Sequence, residues 1–394
     1  MKILWIKSDF LHPTTRGGQI RTLEMLRRLH RAHEIHYVAF DDPAEPEGPA
    51  RAGEYCTRAY PIRHVPPRKG SPVFYGQLAG NLFSSLPAVI ARQKSRKMTD
   101  LIGELTAREG FDAVVCDFLS PSINVPRLGD AVLFQHNVET MIWGRRAQHV
   151  SGMAQRLYMR LQANRMFDYE RRVCRAARRV IAVSSADAGT MRRMFGLAEV
   201  PYVPTGVDVA NFSPPEPRPA AERDLVFVGS MDWTPNIDCM ERFAGEILPL
   251  IRERKPDCSL AIVGRTPPRS IRQLAEQDRL IAVTGTVADV RPYLWSSRVA
   301  IVPLRIGGGT RLKIYEAMAA GVPVVSTEVG AEGLDVHPPD DIRIADSAEE
   351  FAAECLELLA DETARRRLAA AAYTLVSTRF SWERVIADFE LLLA

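Results

Sequence analysis

The segment from Pro303 to Thr327, PLRIGGGTRLKIYEAMAAGVPVVST, sets Gly307, Gly308 and Gly309 ahead of Thr310, Arg311 and Lys313. A single carboxylate, Glu316, follows beside the apolar run AMAA. A strand that runs through glycines into a helix lets backbone N–H groups converge on an anion, and the helix N-terminus adds a positive field. Lys313 can contribute a point charge and Arg311 a planar fork. A carboxylate one turn further on can accept hydrogen bonds from two adjacent sugar hydroxyls, as acidic residues do for ribose in dinucleotide sites. A diphosphate or another anionic group would fit the glycines; a flexible turn and an ordinary helix charge are the alternatives.

A second set of groups lies in the first half. Gly17 and Gly18 stand between the strand pattern ILWIKS and a helical pattern, with Arg16 adjacent. This is not G-x-G-x-x-G and it lies further from the strand than that motif requires, which disfavours a dehydrogenase. His136 closes the strand AVLFQHN at the edge where catalytic groups of α/β sheets gather, and Glu139 follows. His136 and Glu139 do not form H-E-x-x-H, no His/Cys spacing suits zinc and no Asp-x-Asp is present, so no metal is expected. The absence of G-x-S-x-G argues against a serine hydrolase, and Ser184 and Ser185 read as a helix cap.

These groups require strands that end at a common edge. Apolar β-branched runs at 3–8, 35–40, 112–118, 131–137 and 179–184 alternate with amphipathic stretches, the pattern of βαβ units with a mostly parallel sheet. Six prolines between Pro201 and Asp224 mark a linker. The alternation then restarts with strands at 224–230, 259–265, 280–287, 299–304 and 323–327 and helices near 236–254 and 311–320. Two Rossmann-like domains in tandem follow, with ligands expected at the carboxyl ends of their strands.

Net charge is +3, but residues 1–200 carry 30 Lys and Arg against 19 Asp and Glu, and residues 201–394 carry 21 against 29. The halves are therefore +11 and −8, as suits a basic domain that faces an anionic surface or acceptor; a solvated basic surface is the alternative. The segment 65–98 mixes Phe74, Tyr75, Leu82, Phe83 and Leu86 with lysines and arginines, and ten arginines fall in 145–179. Such mixtures fit a peripheral membrane contact or a lipid-linked acceptor. The six cysteines are scattered without a C-x-x-C pair, as buried thiols in a reducing cytoplasm would be. The first residues lack the apolar run of a signal peptide, and no segment reads as a membrane span. Nucleic acid is disfavoured, since no binding motif accompanies the basic charge.

The pieces RGGQIRTLEML, QHNVE, VIAVSSAD, VPTGVD, FVGSMDWTPN, VTGTV and above all LKIYEAMAAGVPVVST resemble glycosyltransferase family 4 over nearly the whole chain, with the bacterial sugar transferases of exopolysaccharide gene clusters nearest in character. The resemblance implies an α/β GT-B fold, two Rossmann-like domains facing each other across a cleft, with residues 378–394 returning to an acceptor domain of residues 1–205 and a donor domain of residues 206–377. It further implies a retaining, cytoplasmic transferase that uses a nucleotide sugar, UDP- or GDP-linked, as substrate, without a cofactor. The acceptor would be a glycan or lipid-linked molecule. By the same resemblance Thr284 to Val287 meet the base, Glu316 the ribose, and the glycine-rich loop with Thr310 the diphosphate and sugar. Gly17 and Gly18 approach the diphosphate, and His136 lies beside the transferred sugar.

Two departures stand out. The family's Glu-x7-Glu has Gly308 in place of its first carboxylate, and the Arg and Lys that usually follow the glycine of FVGS are replaced by Ser230 and by Pro235 or Asn236. Positive charge would then come from Arg265, Arg305, Arg311 and Lys313, the last two foremost as catalytic cations. A nucleotide-sugar epimerase of the same fold and a non-catalytic nucleotide-sugar binding subunit remain the competing readings.

Overall fold

The computed structural model describes residues 1–14, 17–65, 67–68, 70–148, 152–306 and 312–393. The apolar runs form two sheets of six strands, every pairing of which is parallel. The first contains β1 (Lys2–Ile6), β2 (Glu34–Asp41), β3 (Arg58–Arg63), β4 (Ala113–Asp117), β5 (Ala131–Phe134) and β6 (Arg179–Ile181) in the order β3-β2-β1-β4-β5-β6. The second contains β7 (Arg223–Val228), β8 (Leu260–Val263), β9 (Ile281–Val283), β10 (Ser297–Val302), β11 (Val324–Ser326) and β12 (Arg343–Ile344) in the order β12-β11-β10-β7-β8-β9. Both are the doubly wound Rossmann order, in which the direction of winding reverses beside the first strand and opens a crevice at the carboxyl ends. The reversal falls between β1 and β4 in one sheet and between β7 and β10 in the other.

Contacts divide the chain into one unit of Met1–Pro204 with Ile386–Ala394 and another of Thr205–Val385. The inner strands are buried on both faces, which is why they read as continuous apolar runs rather than alternating ones. The edge strands β3 and β12 are not evident in the sequence. β3 contains Pro61, which an edge tolerates because no ladder hydrogen bond is needed from that nitrogen. All six cysteines are buried free thiols.

Local signals are kept in detail. The Ser184 Oγ accepts the Asp187 N–H at 3.1 Å and caps the helix Ser185–Phe195, which Gly196 ends at φ 65°. The helical pattern near 236–254 forms Thr234–Arg242 and Leu248–Arg254 joined by a π turn, Phe243–Ile247. Pro249, with no N–H to extend the ladder, follows that turn. The proline-rich stretch differs from a free linker. Beyond Pro204 it is fastened to the second unit, where Trp295 Nε1 donates to the Phe212 carbonyl at 2.7 Å and Arg218 Nη1 to the Gly321 carbonyl at 2.8 Å. Proline content marks a break in regular structure without telling what the segment lies against. In the helix Trp382–Leu393, residues from Ile386 onward belong to the first unit, where the Phe389 ring packs 5.8 Å from Trp5 and 5.1 Å from Phe134.

Candidate active site

In the first unit, β1 and β4 pair with Ile6 opposite Cys116, so the next residues along each strand, Lys7 and Asp117, meet at the point where the winding reverses. Lys7 Nζ lies 2.9 Å from Asp117 Oδ2, and both side chains are buried. The same oxygen accepts Thr22 Oγ1–H at 2.7 Å and Trp5 Nε1–H at 3.2 Å, while Oδ1 faces His136 Nε2 at 2.7 Å. Burial alone would raise the Asp117 pKa, but Lys7 and then His136 outweigh it and hold the carboxyl well below the usual carboxylate range.

His136 stands two residues past β5, as the strand-end reading expects. Burial pushes its pKa down to about 4 against the pull of Asp117, and Arg21 and Lys7 lower it further. A neutral imidazole beside an ionised carboxylate must carry its proton on Nε2, which leaves the Nδ1 lone pair to accept. The acidic partner of His136 is thus Asp117 and not the nearby Glu139, which opens the helix Glu139–Gln148. That helix start is clamped by Glu170, which accepts N–H groups of Glu139 at 3.0 Å and Thr140 at 2.7 Å and the Gln135 amide at 3.1 Å. Burial pushes Glu170 up to about 7 in spite of these donors.

Phe118, at φ 74°, occupies backbone space that bulky residues rarely enter. Its ring stacks on His136 at 3.9 Å with a 15° tilt, and the Lys7 ammonium lies 4.0 Å from the ring centroid. Gly18 makes room for it, because a Cβ there would come 2.5 Å from Phe118 Cζ, whereas Gly17 has open space. A cavity of about 420 Å³ is lined by Lys7, Asp9, Gly18, Gln19, Asp117 and Phe118. His136 lies behind Phe118 and does not line it.

The second unit presents its own strand-end cluster. The helix Leu312–Ala319 carries Lys313 and Glu316 one turn apart. Lys313 Nζ donates to Asn236 Oδ1 at 2.9 Å and lies 4.2 Å over the Phe227 ring, and Asn236 Nδ2 in turn donates to the Ser230 carbonyl at 2.8 Å. Gly229 permits this arrangement, since a Cβ there would lie 2.6 Å from Lys313 Nζ. At Gly264 a Cβ would lie 1.8 Å from the Gly229 carbonyl oxygen, so the two backbones approach as closely as glycine allows.

Glu316 is half-buried and has no hydrogen-bond partner among the described residues. Burial pushes its carboxyl up to about 7 against the opposing charge of Lys313. Thr284 follows β9, its Oγ1 donating to the Gly285 carbonyl at 2.9 Å, and Val287 packs against the core. Two of the proposed cations are engaged elsewhere. Arg305 makes a two-point contact with Asp238 at 2.7 and 2.8 Å, and Arg265 pairs with Asp232 at 3.2 Å while donating to Ser230 Oγ at 2.7 Å. Acidic partners at such distance in sequence are not apparent from the loop itself, and their charge offsets what these arginines could offer an anion. Gly307, Gly308, Gly309, Thr310 and Arg311 lie outside the described residues. Among the described residues no group of three or more His, Cys, Asp or Glu is placed to hold a metal ion, and no helix is long and apolar enough to cross a membrane.

Sequence reasoning missed Lys7, Asp117, Phe118 and Gly229. The strand-end rule that singles out His136 applies equally to Lys7 after β1 and Asp117 at the end of β4.

Residues 15–211 match the model of Glycosyltransferase Family 4, and residues 222–361 match that of Glycosyl transferases group 1. The chain is similar, at 30% identity over 203 residues, to a GDP-mannose-dependent monoacylated alpha-(1-6)-phosphatidylinositol monomannoside mannosyltransferase of Corynebacterium glutamicum, covering 46% of this chain and 52% of that protein. The chain thus spans about half the length of the curated relatives it matches. Among solved structures it resembles the Anabaena protein Alr3699/HepE in complex with UDP, with a TM-score of 0.71 and 14% identity over 100% of this chain and 99% of that one. It also resembles sucrose-phosphate synthase from Thermosynechococcus elongatus, with a TM-score of 0.69 and 19% identity over 100% and 98%. At these identities the structural likeness speaks for the GT-B fold alone.

Proposed function

Since the chain belongs to glycosyltransferase family 4, we propose that it is a retaining, metal-independent transferase. It moves a sugar from a UDP- or GDP-linked donor to a glycan, lipid-linked or other cell-envelope acceptor, on the cytoplasmic side of the membrane. The observation that carries this reading is Glu316, a half-buried carboxylate without a hydrogen-bond partner among the described residues and one turn from Lys313. Two vicinal ribose hydroxyls would supply the donors it lacks. The relative from Corynebacterium glutamicum is named for GDP-mannose, and the Anabaena structure contains UDP; both nucleotides carry that diol.

The bond broken is sugar C1 to the diphosphate oxygen, and negative charge develops on the leaving group. Lys313, fixed by Asn236 and Phe227, supplies a positioned cation there, joined in this reading by the 307–311 loop with Arg311. The acceptor hydroxyl attacks C1 from the face the phosphate leaves, and its proton passes to the departing phosphate oxygen. His136, neutral and with its Nδ1 lone pair not used by Asp117, is the first unit's candidate acceptor for a sugar hydroxyl, with the stacked Phe118 ring standing between it and the cavity. No protein nucleophile is required, and the carboxylate pair of a retaining glycosidase is not invoked.

The test is turnover of UDP-glucose and GDP-mannose with EDTA present, with and without a glycolipid acceptor, and the product anomer read by NMR. Acceptor-dependent transfer with unchanged anomeric configuration is the expected result. Epimerised donor formed without acceptor, inverted product, or a requirement for added metal would overturn the proposal.

A further inference from the structure

The first unit carries a surface that its own fold leaves uncovered. In the helix Met153–Ala176, Gln162, Met166, Tyr169 and Val173 face the core. Met153, Leu157 and Leu161 recur every four residues on the other side, and Met153 and Leu157 are 89% and 70% exposed. Arg165 connects this helix to the end of the helix Pro72–Asn81, donating to the Asn81 and Leu82 carbonyls at 2.8 Å each, while Gln162 Nε2 donates to Asn81 Oδ1 at 3.1 Å. Those bonds fasten Leu82, and with it the 95% exposed Phe83, to the longer helix at Arg165, one turn beyond the Leu161 end of its apolar stripe. Val73 and Tyr75, also exposed, extend the surface along the shorter one.

Two stretches of sequence that carry these residues are basic and free of acids. Between Tyr55 and Thr99 the sequence holds eight Lys and Arg and no Asp or Glu, and between Thr140 and Phe167 it holds five Arg and again no acid. Arg156 and Arg160 are exposed next to Leu157 on its helix. Exposed apolar side chains grouped on one face mark an interaction surface, and a group carried on basic, acid-free stretches of sequence fits a partner that is both greasy and negatively charged.

We propose that this face of the first unit docks on an anionic lipid bilayer, with Phe83, Leu82, Leu157 and Met153 entering the interface and the neighbouring arginines contacting lipid phosphates. The inference deepens the reading of an envelope or lipid-linked acceptor and rests on it for its purpose, by bringing the acceptor domain to the surface where such an acceptor is held. A bilayer is favoured over nucleic acid because three of the four central groups, Leu82, Leu157 and Met153, are aliphatic, and the single phenyl of Phe83 is not the series of aromatic faces on which successive bases stack. Recognition follows charge and depth rather than any single headgroup.

The experiment is co-sedimentation of the full chain with vesicles of phosphatidylcholine alone and with about one third phosphatidylglycerol, at low and high salt. Binding should require phosphatidylglycerol and weaken with salt. Phe83→Ser with Leu157→Ser should reduce the partition coefficient at least tenfold, and Arg156→Gln with Arg160→Gln should cost about fivefold for each charge removed. Intact folding of each variant is read from an unchanged thermal midpoint and an unchanged response to added UDP or GDP. Failure to bind either vesicle, binding indifferent to these substitutions, or self-association that the Phe83 and Leu157 substitutions abolish would each overturn the inference. A chain that binds nucleotide and ignores vesicles defeats this inference alone; a chain that binds vesicles and no nucleotide defeats the donor reading instead.

Discussion

Asp117 and His136 meet at 2.7 Å across neighbouring strand ends, and the carboxylate that holds the imidazole is itself held by the buried Lys7 at 2.9 Å. A charged pair therefore lies beneath a neutral histidine, and the histidine's free lone pair is a consequence of that pair.

Replacing Asp117 with Asn should leave the amide oxygen facing the Lys7, Thr22 and Trp5 donors and turn its N–H toward His136, which reverses the His136 tautomer, and should leave Lys7 buried without its counter-charge. Loss of one partner of such a pair costs about 3–5 kcal/mol, read as a lower urea midpoint. The double substitution Lys7→Met with Asp117→Asn should recover much of that stability and none of the transfer activity. Recovery of both would deny the pair any role in positioning His136.

Glu170 makes a prediction about pH. Its folded-state pKa is raised to about 7 by burial, so between its ordinary value near 4.5 and about 7 the folded chain binds more protons than the unfolded one. Stability contributed by that proton is present below the lower value and lost as pH rises through about 7, by roughly 3 kcal/mol at most. Glu170→Gln should lower stability overall, because acceptors for the Glu139 and Thr140 N–H groups are reduced, yet it should make the decline across that window shallower, leaving the part that comes from Glu316 and Glu139, whose carboxyls burial also raises. Urea unfolding at a series of pH values measures it, and an unchanged slope would contradict it.

Two glycines separate packing from function. At Gly264 a Cβ would meet the Gly229 carbonyl oxygen at 1.8 Å, a backbone atom that cannot step aside, so Gly264→Ala should destabilise by about 1–3 kcal/mol. At Gly229 the nearest atom, at 2.6 Å, is the end of the Lys313 side chain, which can swing away. Gly229→Ala should therefore keep more of its stability than Gly264→Ala and lose about tenfold or more in kcat/KM through displacement of the ammonium from the strand end. Equal stability losses with unchanged kinetics at Gly229 would remove Lys313 from the account.

Much of this architecture is legible in the sequence because fully buried parallel strands write themselves as apolar runs, and the breaks between runs fall where helices must cross. His136 and Glu316 are legible for a related reason: each is a polar group where an apolar pattern ends or should continue. Lys7 and Asp117 are less so, since they are 110 residues apart and only the register of β1 against β4 makes them neighbours. The same holds for Lys313 and Asn236, separated by 77 residues, and for Arg305, whose carboxylate partner lies 67 residues upstream. A loop arginine reads as an available cation until the tertiary fold supplies its counter-charge. Phe118 is illegible for a different reason: its positive φ is a property of the folded backbone, and no residue type announces it.

The central claim, that the helix Leu312–Ala319 binds the nucleotide of a sugar donor through Glu316, is tested most directly by thermal stabilisation of the full chain with UDP, GDP and their sugars, comparing wild type with Glu316→Ala. A nucleotide at 100 times its Kd should stabilise the wild type by about 2.7 kcal/mol. The account predicts that one nucleotide does so, more strongly as pH rises past about 7 and the carboxylate ionises, and that the shift collapses in Glu316→Ala. Equal stabilisation of wild type and Glu316→Ala, or none with any nucleotide, would contradict it.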